Sequence, residues 1–185
     1  VKDTALYAHI YPFGIKTDAF DKQYHERVRR ARRIKYLYDM GQNFTSMPDN
    51  DDELIGQWFK EQYVFQQSNL YAANSIPFKL RSITIDTQKK LTETEIELLA
   101  QMEHNRWNLE RLLLGFKPYK LADRLAFKYI LKYADTEKKQ TLKHTLKETK
   151  NTLFIHKDIA PYEELLPGSQ DYDKAIVKNI QSVLK

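Results

Sequence analysis

The chain contains no cysteine, which excludes a disulfide framework, a thiolate metal site and a cysteine nucleophile. Its five glycines are isolated, so neither a G-x-G-x-x-G turn nor a Walker-type phosphate loop can be written. No apolar run approaches the roughly 18 residues of a membrane span, and the N-terminus lacks the basic-then-apolar plan of a signal peptide. These absences predict a cytoplasmic protein that does not enter a membrane.

Recognisable catalytic motifs are missing as well. The sequence has no G-x-S-x-G elbow, no H-E-x-x-H motif and no carboxylate pair whose spacing favours acid–base chemistry. His104 and His156 lack a convincing third ligand, so no metal site is predicted. We therefore predict a protein that is not an enzyme and that carries no cofactor.

What the chain does contain is helical patterning, with enough apolar residues for a core. It has 185 residues, of which 42% are hydrophobic. Thr17 or Asp18 is positioned to cap a helix that ends near Gly41, and further helices are predicted at about 52–62 and 64–80, the second kinked or broken at Pro77. The β-rich segments are short and lie at 82–86 and 153–156.

The most informative segment is 91–119. Thr92 and Glu95 fit a capping box, and Gly115 follows the last strong helix formers, where a left-handed cap is required. Helical periodicity places His104 and Arg111 on the same stripe as the apolar residues Ile96, Ala100, Trp107 and Leu114. Polar side chains on a packing face need partners or a ligand, because an unpaired buried polar group costs about 1 to 3 kcal/mol.

The same segment resembles the opening of a ryanodine receptor repeat, the RyR domain. That family has a helix with His-x-x-Trp, followed about eight residues later by Gly and an aromatic residue; here these are His104, Trp107, Gly115 and Phe116. The second half of the family is similar to a later segment that contains, in order, His156, Ile159, Pro161, Tyr162 and Leu165, and then to a closing helix from Asp171 to Leu184.

The resemblance implies a division into two parts. Residues 1–86 are a helical N-terminal extension, and 87–185 are an RyR-type repeat domain with an insertion at about 120–152. Lysines recur through the insertion with leucines and aromatics between them, which predicts an amphipathic helical hairpin with a solvated lysine face. The expected fold class is mainly α with minimal β. The two halves of the repeat should pack together, with Trp107 and Phe116 largely buried against 159–165.

A fainter similarity precedes the repeat. The segment from Trp58 to Leu80 resembles the helix found before the repeat in bacterial proteins that pair an RyR domain with a dinucleotide-binding domain. That upstream domain is not in this chain, and the sequence begins with Val1 rather than Met. We therefore expect the chain to be the C-terminal portion of a longer one, with such a domain as a possible partner.

For function, the resemblance implies a non-enzymatic ligand-binding or regulatory interaction module. Animal calcium-release channels contain such repeats as facing pairs, so a single repeat is expected to form a homodimer. We expect aromatic side chains in a cleft to stack on a planar group and Arg111 to neutralise an anion, a chemistry suited to a nucleotide-like metabolite. The candidate ligand-binding residues are His104, Trp107, Arg111, Tyr119, His156 and Tyr162.

Two other functions compete with this interpretation. The basic helix around 25–35 and the lysine-rich insertion are compatible with nucleic-acid binding. This alternative is less favoured, because a formal net charge of +5 is modest and Asp and Glu are interspersed. The remaining alternative is a purely structural assembly domain, in which the motif residues only stabilise the fold.

Overall fold

The computed structural model describes residues 22–83, 90–166 and 168–185. Within these residues the chain is mainly helical, as predicted from the sequence. Two short 3-10 turns cover Gly41–Asn43 and Tyr162–Glu164. The other elements are α1 (Lys22–Met40), α2 (Asp52–Lys60), α3 (Tyr63–Arg81), α4 (Glu93–Leu113), β1 (Lys117–Pro118), α5 (Leu121–Tyr133), α6 (Thr136–Leu153), β2 (Ile155–His156), α7 (Gln170–Lys178) and α8 (Ile180–Leu184).

Local signals set several helix ends. The predicted capping box at the start of α4 is present, since Thr92 accepts a hydrogen bond from the Glu95 N–H and the Glu95 side chain accepts one from the Thr92 N–H. Gly115 and Gly41 have φ of +85° and +49°, which glycine adopts without strain, and each follows a helix. α3 runs through Pro77, so the helix is not broken there. The predicted cap at Thr17 or Asp18 lies outside the described residues.

The main core joins the two ends of the chain. Buried residues of α1 pack in one cluster with residues of α2, α3, α7 and α8. Two arginines of α1 add polar contacts, since Arg29 donates to the Lys185 carbonyl at 2.7 Å and Arg33 to the Ser182 carbonyl at 3.1 Å. The N-terminal helices therefore share a core with the closing helix, and the division at residue 86 stays a prediction.

The two segments that carry the RyR resemblance pack together, as expected. Helix α4 lies against α7, and a second cluster joins Ile96, Leu99 and Ala100 with residues that include Ala160, Tyr162 and Val177. Trp107 and Phe116 are half-buried, and the rings of both contact His156. Their burial is therefore less complete than expected, because the neighbouring side is the cleft described below.

A two-stranded parallel ladder bridges the insertion. β1 pairs with β2 so that Lys117 lies opposite Ile155 and Pro118 opposite His156. Of the β-rich segments predicted from the sequence, 153–156 therefore contains a short strand, whereas 84–86 lies outside the described residues. The intervening α5 and α6 are helical, as expected for the insertion; α6 buries Leu142 and Leu146, and α5 buries no residue.

None of the helices in the described part of the chain is both long and apolar enough to cross a membrane.

Candidate functional site

A cleft of about 640 Å³ opens beside α4. Its lining residues come from α1, α3 and α4, from the junction of α6 with β2 and from the start of α7. Four predicted ligand-binding residues, His104, Trp107, Arg111 and His156, line the cleft. The sequence analysis did not select the other lining residues used below, which are Tyr38, Phe65, Phe116, Lys150, Phe154, Asp158 and Asp173.

Arg111 is a buried cation at the cleft whose charge is only partly compensated. It is 8% exposed, and its Nε has no hydrogen-bond partner among the described residues. The nearest carboxylate oxygen, on Glu110, is 3.8 Å away, beyond hydrogen-bond distance. Burial lowers the pKa of the guanidinium, with a partial offset from Glu110. The protein thus gives this cation one long ion pair, with Glu110, and no hydrogen bond to a described carboxylate.

Aromatic rings surround that cation. The Cζ atom of Arg111 lies 5.3 Å from the ring centre of Trp107 and 5.8 Å from those of Phe65 and Phe116. These distances are within the roughly 6 Å at which a ring attracts a cation. The rings attract the guanidinium but accept no strong hydrogen bond from it, so its Nε–H stays available to an anion.

His104 is held from both sides of its ring. Nε2 lies 2.9 Å from the Ala160 carbonyl and Nδ1 lies 3.2 Å from Asp173 Oδ2, so both nitrogens face acceptors. Burial disfavours the imidazolium, but the hydrogen bonds with Asp173 and Ala160 outweigh it and raise the pKa of His104. His104 therefore joins α4 to α7 and positions its neighbour Trp107, whose ring stacks on it at 6.1 Å.

His156 has the opposite environment. The backbone N–H of Asp158 donates to its Nδ1 at 3.2 Å, so the neutral ring carries its proton on Nε2. Burial lowers the pKa of His156 to about 4, helped by Lys150, Lys157 and Arg111 and opposed by Asp158. The ring lies 4.9 Å from that of Trp107. His156 is thus a neutral hydrogen-bond donor among cations.

The remaining two candidates do not line the cleft. Tyr162 is 4% exposed and packs behind His104 at 5.7 Å, and its hydroxyl has no hydrogen-bond partner in the described part of the chain. Tyr119 packs on Phe127 of α5 at 5.0 Å. Both are packing residues in this structure, Tyr162 under the site and Tyr119 at the base of the inserted hairpin.

Two lining residues, one from the insertion and one directly after it, were missed from the sequence. Lys150 is half-buried and forms no ion pair with a described carboxylate. Phe154 ends α6 with φ of +54°, a left-handed conformation that is uncommon for a bulky side chain. Its ring packs on Phe116 at 5.2 Å. The sequence feature that could have identified them is their position, because residues 150–154 lie directly before the segment that carries His156.

Acidic side chains near the cleft are engaged by protein groups. Asp158 accepts hydrogen bonds from Lys157 and Ser169 at 2.7 Å each, and Asp173 pairs with His104. Within the described ranges, no three His, Asp or Glu side chains converge in a way that would hold a metal ion. The chemistry that the arrangement offers is therefore anion binding beside aromatic rings.

No known protein family model matches the chain, and no curated protein or solved structure matches it significantly. The similarity to the RyR domain therefore rests on the motif residues themselves. The fold and the cleft define a mainly helical protein with an aromatic, cation-bearing pocket.

Proposed function

We propose that this protein is a non-enzymatic ligand-binding module of the RyR type, whose cleft takes an anionic, planar, nucleotide-like metabolite. The observation that carries the proposal is Arg111, a buried guanidinium that faces a cleft and has aromatic neighbours but no carboxylate hydrogen bond. A buried charge left without a partner is costly, and an anionic ligand would remove that cost.

The size and lining of the cleft support a ligand of this kind. A volume of about 640 Å³ falls in the range of small-molecule pockets. The exposed edges of Trp107, Phe116 and Phe154 offer apolar surface for a planar ring, and Arg111 with Lys150 offers positive charge. In a longer chain, binding would bias the conformation of attached domains, including an upstream dinucleotide-binding domain.

A thermal-shift screen tests the proposal. Adenosine, adenosine 5′-monophosphate, adenosine 5′-diphosphate and a nicotinamide dinucleotide are compared at equal concentration and ionic strength. We expect the anionic compounds to raise Tm and adenosine to raise it less; at a hundred times its Kd, a ligand stabilises the fold by about 2.7 kcal/mol. If no anionic nucleotide or other planar anion in the screen raises Tm, the proposed function is wrong.

Two arginine variants then locate the site by calorimetry. Arg111→Met should weaken the best anionic hit about ten- to a hundredfold, because it removes charge-assisted hydrogen bonds. Arg81→Met is the matched control, since Arg81 also lies over a ring, that of Phe78 at 4.6 Å, but it is exposed and does not line the cleft. Equal losses of ligand affinity in the two variants would show that Arg111 does not contact the ligand.

The homodimer is proposed on separate grounds. Large apolar side chains are exposed on neighbouring faces of α3 and α4, and they border a groove of about 570 Å³. They include Tyr63, Tyr71, Leu109 and Leu113. Contiguous exposed apolar surface is typical of interaction sites. Light scattering should give the mass of two chains for the wild type and of one chain for Leu113→Glu; a monomeric wild type would contradict the dimer.

Nucleic-acid binding has less support. Basic side chains of α1 make contacts inside the protein: Arg29 and Arg33 bond to the C-terminal residues, and Lys35 pairs with Asp39 and Glu61. Cations used in this way are less available for phosphates. Binding that weakens steeply with salt would favour this alternative, since counter-ion release makes nucleic-acid affinity salt-dependent.

A further inference from the structure

The cation-bearing end of the cleft combines residues from three segments. Arg111 comes from α4, Lys150 from α6 of the insertion, and His156 from β2. Arg111 and His156 contact the same two rings, since each packs against both Trp107 and Phe116. The guanidinium and the imidazole are thus held against one aromatic platform.

Each of these three residues has donor capacity that the protein leaves unused. Arg111 Nε and the ammonium of Lys150 have no carboxylate partner within the described ranges. His156 uses Nδ1 to accept from Asp158, which leaves its Nε2–H without a partner in the described part of the chain. Three donors that line one cleft, two of them cationic, are suited to bind a tetrahedral oxyanion.

We propose that Arg111, Lys150 and the Nε2–H of His156 form a subsite for a phosphoryl-type dianion, and that anion binding there is coupled to protonation of His156. This inference rests on the proposed function and adds that the phosphoryl group of the ligand contacts these three side chains. It also makes the insertion a part of the site, because Lys150 lies on α6.

The coupling follows from the charges around His156. Lys150, Lys157 and Arg111 face it and repel a proton, while Asp158 is the carboxylate nearest to it, at 3.9 Å. A dianion between Arg111 and Lys150 reverses the sign of the field at the ring, which favours the imidazolium. His104, the other histidine lining the cleft, already has both nitrogens engaged by Ala160 and Asp173 and should respond less.

Inorganic sulfate is the probe, because it is a tetrahedral dianion throughout the pH range of interest. Histidine ring resonances are followed by NMR from about pH 4 to pH 8, with and without saturating sulfate, and chloride keeps the ionic strength constant. We expect sulfate to raise the pKa of His156 by about one unit or more. By linkage, sulfate should then bind about tenfold more tightly at the acid end of the range than at the alkaline end.

Substitutions at Lys150 and His156 test whether these two side chains bind sulfate. Lys150→Met should raise the pKa of His156 in the absence of sulfate and weaken sulfate binding about tenfold. Lys143→Met is the matched control, since Lys143 is an exposed lysine of the same helix that does not line the cleft, and it should change neither. His156→Asn should remove most of the pH dependence of sulfate affinity in this range.

The outcomes separate this inference from the proposed function. If a nucleotide binds and Arg111→Met abolishes that binding, but sulfate leaves the pKa of His156 unchanged, the cleft function stands and the subsite is wrong. Equal effects of Lys150→Met and Lys143→Met on sulfate affinity would also overturn the subsite. The wild-type NMR titration decides even where a variant does not fold.

Discussion

Two arginines on the same helix, only five positions apart, have opposite environments. Arg106 donates to Glu103 at 2.7 Å and to Glu110 at 2.7 Å, and Glu103 in turn binds Lys79 at 2.5 Å. The ion pairs hold the pKa of Arg106 above its usual value against the effect of burial. Arg111 has no such partner, and burial lowers its pKa. One region is a closed network of charges, and the other is an open cleft.

The comparison shows which charged residues the fold needs and which it tolerates. In the network, α3 and α4 are joined by complementary charges whose donors and acceptors are largely satisfied, with Ser68 adding a hydrogen bond of 3.0 Å to Glu110. In the cleft, the aromatic rings fix Arg111 but supply no anion. A side chain that the fold does not need in its charged form is a better candidate for function than one it does need.

The largest expected effect is at the centre of the network. Glu103 is fully buried, so Glu103→Leu should leave Lys79 and part of Arg106 as uncompensated charges and lower the free energy of unfolding by about 3 to 5 kcal/mol. Urea unfolding monitored by circular dichroism measures it. Glu97→Leu is the control, because Glu97 is a more exposed carboxylate of α4 paired with Lys174, and it should cost about 0 to 1 kcal/mol. Similar losses in the two variants would contradict a special role for the network.

A pH series gives the next largest effect. With a pKa of about 4 in the folded state, His156 takes up a proton less readily than in the unfolded chain. The free energy of unfolding is therefore highest, as far as His156 is concerned, above about pH 6.5. It falls by up to about 3 kcal/mol as the pH drops toward 4. The raised pKa of His104 acts in the opposite direction, since its contribution is present at low pH and is lost as the pH rises through its folded-state pKa.

Urea midpoints of wild type and His156→Asn, measured across this range, isolate the His156 contribution. The difference between the two proteins should shrink steadily as the pH falls. His144→Asn, which changes an exposed histidine of α6, should run parallel to the wild type. A constant difference between wild type and His156→Asn would show that the ring is not held neutral by its surroundings.

Part of this arrangement was predictable because its causes are local in the sequence. Thr92 and Glu95 are three positions apart, and the positive φ of Gly115 follows from its place after a run of helix formers. The stripe that carried His104, Trp107 and Arg111 was likewise a matter of helical period. These signals were sufficient to find α4 and three of the predicted ligand-binding residues that line the cleft.

The partners of those residues were not predictable, because they depend on tertiary packing. Asp173 meets His104 from another helix, and the core that α1 shares with α7 and α8 joins opposite ends of the chain. The sequence pattern places Lys150 among the lysines of a solvated face, since nothing in the sequence indicates that the end of α6 lines the cleft. Tyr162 and Tyr119 have the residue type of ligand-stacking groups, and only their contacts show that they pack elsewhere.

A smaller effect is expected when the unpaired cation is removed. Arg111→Met replaces a buried, incompletely bonded guanidinium with an apolar side chain in an aromatic environment. We expect the free energy of unfolding in the absence of ligand to stay the same or to rise by up to about 1 kcal/mol. Chemical unfolding without added anions measures this change. A loss of 3 kcal/mol or more, of the order expected for a broken buried pair, would place Arg111 in the fold's own charge network.

The smallest effect should come from a third arginine, which lies between the two extremes. Arg124 on α5 donates to Glu164 at 2.6 Å and to the Ile159 carbonyl at 3.4 Å, and these contacts tie the inserted hairpin to the segment 159–164. Glu164 is 38% exposed, so water screens the pair. Arg124→Ala should therefore cost about 0 to 1 kcal/mol and leave the affinity for the best anionic ligand unchanged. A large loss of anion affinity would mean that the attachment of the hairpin positions Lys150 at the cleft.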